Sequence, residues 1–405
     1  MAQAVFFDKV GETEKLDVRP GQTVKALLRA HGIPANCVIT RVNKKIVAEE
    51  FATIAPEDYV EIQQIRHYDL KVCRRPERRV FGGVNPIYAK EILVDEAGRT
   101  TNYAEQFDSE GFVRYVETAF AEGVTNSGMF QAEDKIAVGL SGGRDSVSFL
   151  KLMERTADRL PKFKMTAVTV SGLPDWDEPE TFAAARHASE LQGINWIVVP
   201  GEKIQSTFRL KKSYSLTMNE VVAGDSNALT MVISHHVLRR MIEIEAEERG
   251  IGKIVLGLNS DDLVATLVTW FTSGFRLGPL PIRPIGKFNY VFPLYRVTKK
   301  ELTLYLELLA PELNQQGPPG RFTSGPGERS MSYAVADHLY DLWPGIDYYL
   351  FDAFKTMQTY MKPPAEASCG VCGGTYLLIE NVENPHEKCD VCTFFESGGY
   401  SEPSH

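Results

Sequence analysis

Residues Lys135–Leu150 read KIAVGLSGGRDSVSFL. Ile136, Ala137, Val138 and Leu140 form a short apolar run bounded by glycine, the pattern of a buried parallel strand. Val147, Phe149, Leu150 and Met153 recur at helical spacing. Between them, Ser141, Gly142, Gly143, Arg144, Asp145 and Ser146 make a tight turn. A strand that ends in such a loop and opens a helix aims backbone N–H groups and the positive helix end at one point, which favours phosphate. Gly142 and Gly143 let the backbone approach a ligand without a Cβ in the way.

The pattern continues outward. Strands are expected at Met165–Val170, Trp196–Val199 and Lys253–Leu256, with helices at Ser146–Arg159, Glu178–Gln192 and Ala228–Arg249. Strands alternating with helices imply an α/β fold, a doubly wound parallel sheet covered on both faces. The phosphate loop then lies at the sheet's carboxyl edge. A second polar stretch, Gly257-Leu258-Asn259-Ser260-Asp261-Asp262 with Thr266 following, succeeds the last of these strands. Paired carboxylates beside a triphosphate suit Mg²⁺. The alternative is that Asp261 and Asp262 only cap a helix N-terminus.

The loop has neither the GxGxxG nor the GxxxxGK[ST] spacing. SGGRDS instead resembles the SGGxDS signature of the PP-loop ATP pyrophosphatases, which split ATP between the α and β phosphates and adenylate a substrate oxygen. Within that family, residues 257–266 resemble the G-H-N-x-D-D-x-x-Q-T segment of tRNA 2-thiolation enzymes. Gly257, Asn259, Asp261, Asp262 and Thr266 match, while Leu258, Leu263 and Ala265 depart. Pro293 to Glu301 resembles a later P-L-x-x-x-x-K-x-E stretch. The resemblance implies an ATP site at Ser141, Gly142, Gly143, Arg144, Asp145 and Ser146, with Gly257 and Asn259. Asp145, Asp261 and Asp262 would be catalytic, with Mg²⁺ as cofactor. The expected partners are tRNA and a sulfur donor or carrier protein.

One departure matters. The thiolation enzymes carry Cys-x-x-Cys shortly before an arginine pair. Here Val232 and His235 stand at those places ahead of Arg239 and Arg240, and no cysteine lies between Cys73 and Cys369. Sulfur therefore comes from a separate donor, or the nucleophile is not sulfur. His235 and His236 are candidates for proton transfer. Two other readings stay open: adenylation of a small carboxylate or amide, and a non-catalytic nucleotide-binding subunit.

Residues 1–70 show the ββαββ order of a ubiquitin-like β-grasp domain. Strands are expected at Ala4–Phe7, Leu16–Val18, Val38–Val42, Lys45–Val47 and Tyr59–Ile65, with a helix at Thr23–His31. GQTVKALLRAHGIP, VITRVNKKIV and DYVEIQQI resemble small sulfur-carrier proteins of that fold. Those carriers end in Gly-Gly; here the chain runs on, with Gly82 and Gly83 beyond the last strand, so the segment is a fused docking or RNA-contacting module unless it is cleaved there. Residues 71–134 read as a linker in which Lys71, Arg74, Arg75, Arg78 and Arg79 cluster, followed by a helix bearing Tyr103, Phe107, Phe112, Val113, Val116 and Phe120. The basic cluster suits RNA phosphates or a solvated linker equally. The ATP domain spans 135–310, and 311–405 holds a helical extension.

In that extension, Asn314–Gly327 is a Pro- and Gly-rich loop, and helices are expected from Met331 to Tyr360 with Tyr348, Phe351, Phe354 and Met357 in the core. Cys369-x₂-Cys372 and Cys389-x₂-Cys392 form two knuckles spaced for a tetrahedral Cys₄ site, structural Zn²⁺ or iron. The resemblance extends here, since several tRNA thiolation enzymes end in a similar zinc ribbon. His386 is a neighbour not needed as a ligand. Six cysteines, four of them so paired, point to a reducing compartment, with the cytoplasm expected. A net charge of −9 disfavours broad nucleic-acid coating but not a local basic surface. No apolar run reaches membrane-helix length, and no signal-peptide pattern opens the chain, so no membrane partner is expected. The oligomeric state, homodimer included, stays open.

Overall fold

The structure is a computed structural model. It describes the chain except residues 1, 8–11, 34, 36–37, 50, 66–78, 82–86, 97–98, 174–178, 224–226, 274–278, 314–326, 343–345, 361–364, 379–386 and 404–405. Lys71, Arg74, Arg75, Arg78, Gly82, Gly83, Cys73, His386 and most of the Pro/Gly-rich loop lie outside the described residues. The chain divides into two compact units, Met1–Val80 with Leu93–Ala104, and Phe81–Ile92 with Glu105–His405.

The first unit contains strands β1 (Gln3–Phe7), β2 (Thr13–Leu16), β3 (Val38–Val42), β4 (Lys45–Ile46) and β5 (Tyr59–Gln64), with helix α1 (Val24–Ala30). The sheet order is β2-β1-β5-β3-β4. β1 and β5 run parallel at its centre, and the other pairs are antiparallel. Thr23 caps α1 by accepting the Ala26 N–H. Val24, Leu27 and Leu28 close a core with Ala4, Phe6, Val60 and Ile62, the alternate residues of the two central strands.

The stretch expected to be a linker is more ordered than its composition suggests. Strands β6 (Arg79–Phe81), β7 (Tyr88–Glu96) and β8 (Arg99–Phe107) form a three-stranded sheet with β8 in the middle. Tyr103 and Phe107 therefore belong to a strand, not to the helix that follows. Asp108 caps that helix, α2 (Ser109–Ser127), through the Gly111 N–H at 2.7 Å. Phe112, Val116 and Phe120 are buried along one face of α2.

The second unit is built on a six-stranded sheet of β9 (Lys135–Gly139), β10 (Lys164–Val170), β11 (Asn195–Val199), β12 (Lys253–Val255), β13 (Ile282–Ile285) and β14 (Phe288–Val291). Its order is β11-β10-β9-β12-β14-β13. All pairs are parallel except β13–β14. The β13–β14 hairpin escaped the sequence reading because Pro281 and Pro284 break its pattern; an edge strand tolerates proline because its outer N–H needs no partner. The helices are α3 (Arg144–Arg155), α4 (Pro179–Leu191), α5 (Gly201–Thr207), α6 (Tyr214–Ala223), α7 (Asn227–Glu248), α8 (Ser260–Ser273), α9 (Lys299–Leu309), α10 (Gly327–Leu342), α11 (Ile346–Gln358) and α12 (Asp390–Ser397). Strands β15 (Glu366–Ser368) and β16 (Thr375–Leu377) pair as a hairpin. Phe351 and Phe354 are buried on α11 as expected, but Met357, one residue before the helix ends, is exposed. Among the described residues, no helix is long and apolar enough to cross a membrane.

Candidate functional site

β9 delivers the chain to the loop at the sheet's carboxyl edge. Gly142 sits in the left-handed region at φ 77°, and a Cβ there would fall 1.8 Å from the Thr181 carbonyl oxygen at the start of α4. No side chain fits that space, so glycine is obligatory. Gly143 is the N-cap of α3 and has no side-chain capping bond. The loop is braced from within: Ser146 Oγ donates to the Gly143 carbonyl at 2.9 Å, the Gly143 N–H donates to Ser141 Oγ at 3.3 Å, and the two hydroxyls lie 3.3 Å apart. Gly257, just past β12, lies where a Cβ would be 3.4 Å from the Ser146 nitrogen. The two polar stretches thus meet backbone to backbone. Arg144 reaches sideways, donating to Thr303 Oγ1 of α9 at 3.0 Å.

Asp145, in the first turn of α3, is the carboxylate held least tightly. Its Oδ2 accepts from Asn259 Nδ2 at 3.1 Å and lies 3.8 Å from Lys299 Nζ. Its Oδ1 is buried with no hydrogen-bond partner. Burial raises its pKa, Lys299 opposes the rise, and the like charge of Asp262 adds to it.

The second carboxylate pair is engaged in capping. Asn259 Oδ1 accepts the Asp262 N–H at 3.0 Å, and Asp262 Oδ2 reaches back to the Asn259 N–H at 3.4 Å, a reciprocal box at the start of α8. Asp262 Oδ1 accepts from Tyr333 Oη. Asp261 Oδ2 accepts the Lys299 N–H at 2.6 Å, at the start of α9. Burial pushes the Asp261 carboxyl up to about 6; the Lys299 N–H opposes this, and Asp262 reinforces it. The structure therefore brings Asp145, Asn259 and Asp262 together around one amide and turns Asp261 toward the next helix. Lys299, Tyr333 and Thr181 were not singled out from the sequence; Thr181 and Tyr333 lay in expected helices, and only Lys299 lay in a stretch that resembles a family motif.

The four knuckle cysteines are buried, and all their Sγ atoms lie within 4.8 Å of one another. Cys372 and Cys389 Sγ are 3.9 Å apart. Thiolates about 2.3 Å from one tetrahedral metal stand roughly 3.8 Å apart, so the cage fits a single ion. The first knuckle is the β15–β16 turn, where the Gly373 N–H donates to the Cys369 carbonyl at 2.8 Å. The second is the N-terminus of α12, with Cys389 as its N-cap.

The cluster rests on α7. Arg240 Nε donates to the Cys372 carbonyl and Arg239 to the Thr375 carbonyl, each at 2.7 Å. His236 Nε2 lies 3.4 Å from Cys389 Sγ and 3.9 Å from Cys372 Sγ. His236 is thus placed at the thiolates, and no contact with the phosphate loop is seen for it. Arg240 also pairs with Glu243, which accepts from Tyr290 Oη and is buried behind β14.

No protein-family model matches the chain. Its sequence is 27% identical over 186 residues to a tRNA-cytidine(32) 2-sulfurtransferase of Delftia acidovorans, covering 44% of this chain and 53% of that one. It is 27% identical over 208 residues to the same enzyme of Neisseria meningitidis serogroup A, covering 50% and 60%. The chain thus spans little more than half the length of the curated relatives it matches. Among solved structures, the U34-tRNA thiolase NcsA of Methanococcus maripaludis, described with its [4Fe-4S] cluster, aligns with a TM-score of 0.55 at 19% identity, over 72% of this chain and 90% of NcsA. The chain shares the α/β fold of NcsA, and the sequence relatives named here are tRNA-cytidine(32) 2-sulfurtransferases.

Proposed function

We propose that the chain is an ATP-dependent tRNA 2-thiolation enzyme. The observation that carries this is the junction of the two motifs: Asn259 ties Asp145 of the SGGRDS loop to Asp262 of the second stretch, past the carboxyl ends of β9 and β12. In this reading the main-chain amides of Ser141–Ser146 hold the pyrophosphate portion of ATP, where charge develops as it leaves. A carbonyl oxygen of the tRNA base attacks the α phosphorus, and the bond to pyrophosphate breaks. A sulfur nucleophile then attacks the adenylated carbon, and AMP departs with the former carbonyl oxygen.

Mg²⁺ fits this site on one observation: Asp145 Oδ1 is buried and unpartnered while facing a second carboxylate's field. Asp145 and Asp262 would hold it, and it would neutralise phosphate charge. Zn²⁺ fits the four thiolates, with every position filled by protein and hence a structural role. The described cysteines are all in that cluster, so the sulfur comes from a donor outside the α/β domain. In this reading the first unit, with its five-stranded sheet ordered β2-β1-β5-β3-β4, serves as a β-grasp docking element for that donor or for tRNA.

The test is a single incubation with ATP, Mg²⁺, sulfide and unmodified tRNA. AMP and pyrophosphate should form only when tRNA is present, and nucleoside mass spectrometry should find a 2-thiolated base. Release of ADP and orthophosphate, or turnover driven by small carboxylates without tRNA, would overturn the reading.

A further inference from the structure

The nucleotide site has a wall that no motif marks. Helix α10 lies along α8, and Tyr333 on it donates its hydroxyl to Asp262 Oδ1. Two other polar ties hold the same helices together without Tyr333, and a third ties α8 to α11. Thr269 Oγ1 donates to Ser332 Oγ at 2.8 Å, Ser260 Oγ lies 2.7 Å from Tyr340 Oη, and Ser260 Oγ donates to Asp347 Oδ2 at 3.0 Å. The Tyr333 bond is therefore not needed to seat α10. It reaches the Asp262 carboxylate.

That carboxylate is in a crowded field. Asp145 and Asp261 both feel the charge of Asp262, and each is buried enough for the repulsion to count. Lys299 Nζ lies 3.8 Å from Asp145 Oδ2, the same oxygen that Asn259 bonds. A carboxylate so repelled would rotate away unless both its oxygens were held. The Asn259 N–H holds Oδ2 at the long distance of 3.4 Å, and Tyr333 holds Oδ1.

We propose that Tyr333 is a positioning residue of the ATP site: its hydroxyl fixes the Asp262 carboxylate beside Asp145, so that the pair receives the divalent cation that accompanies the nucleotide. This rests on the reading of the α/β domain as an ATP site. Helix α10 is then part of the nucleotide machinery rather than an appendage.

The test uses the full chain, a non-hydrolysable α,β-methylene analogue of ATP, and Mn²⁺ binding followed by electron paramagnetic resonance. Tyr333→Phe keeps the ring and removes the hydroxyl. It should weaken Mn²⁺ binding about tenfold, the lower end of what a hydrogen bond to a charged group is worth. Binding of the metal-free analogue should be unchanged. Tyr340→Phe, which removes a hydroxyl bonded to Ser260 instead, should leave Mn²⁺ affinity within about twofold. Unchanged Mn²⁺ affinity in Tyr333→Phe overturns the proposal. An equal loss in Tyr340→Phe overturns it as well, since general packing would then explain both. A wild-type chain that binds no analogue at all removes the ATP reading itself, and is told apart from these by the metal-free measurement.

Discussion

Asn259 donates its side-chain amide to Asp145 across 114 residues of sequence, and the same side chain caps α8 through its oxygen. One buried amide therefore fixes the phosphate-loop carboxylate and the start of the second motif's helix. Asn259→Ala would leave Asp145 with no bond to either oxygen other than the ion pair with Lys299. Loss of the cap costs about 1 kcal/mol, and the unpaired carboxylate adds about 1–3 kcal/mol. Adenylation should fall by about a hundredfold or more, and a denaturant melt should show the stability loss.

Asp145→Asn should separate activity from stability. Burial raises the Asp145 pKa, so its charge is held at a cost in the fold. The amide removes that cost and the metal-binding charge together. Pyrophosphate release should drop by about a thousandfold, while the melting temperature stays level or rises. A variant that melts earlier and keeps its turnover would refute the assigned role.

The two loop glycines should respond differently to alanine. Gly142→Ala places a methyl 1.8 Å from the Thr181 carbonyl oxygen at a positive φ, so the loop or α4 must shift; a loss of about 3 kcal/mol or more is expected. At Gly143 the nearest atom to a new Cβ is Ser141 Oγ at 3.3 Å, and φ is an ordinary −72°. Gly143→Ala should change stability by less than about 1 kcal/mol and show its effect in weakened ATP binding instead.

Asp261 gives a pH signature. Its folded pKa of about 6 lies above the ordinary carboxylate value, so the folded state binds the extra proton between the two. The stability tied to this group is present below the unfolded pKa, near 4, and is lost as pH rises to about 6. Asp261→Asn keeps an acceptor for the Lys299 N–H and cannot ionise. It should stabilise the protein at pH 8 relative to wild type by about 1–2 kcal/mol, and by little at pH 4. Parallel melting curves at the two pH values check this.

Metal removal should be felt at α7. The Cys₄ cage takes its docking bonds from Arg239 and Arg240, with the His236 ring beside Cys389. Chelation or Cys389→Ser should release the β15–β16 hairpin and α12, raising hydrogen exchange there and along the Arg239–Glu243 turn. Bound metal should be one zinc per chain by elemental analysis. Full protection after chelation would contradict a structural metal.

Much of this molecule was legible in its sequence, because the signals were local. Apolar runs of strand length, helical spacing from Val147 to Met153, and paired cysteines each express one element's own geometry. So the α/β architecture, the phosphate loop and the Cys₄ set could be read directly; the fold match agrees with the α/β reading, and the four cysteines do meet. The β13–β14 hairpin and the β7–β8 strands were less legible, since proline and charge hid their pattern.

What only the tertiary structure decided is which polar groups face each other. Asp261 and Asp262 are adjacent and chemically identical, yet one caps α9 and the other meets Tyr333. His236 was a candidate for proton transfer, and folding carried it to the thiolates. The bonds from Lys299 to Asp261 and from Tyr333 to Asp262 join residues dozens of positions apart, and no local pattern encodes them. The chain's own order determined the elements; the packing of α7, α8 and α10 determined what their side chains can do.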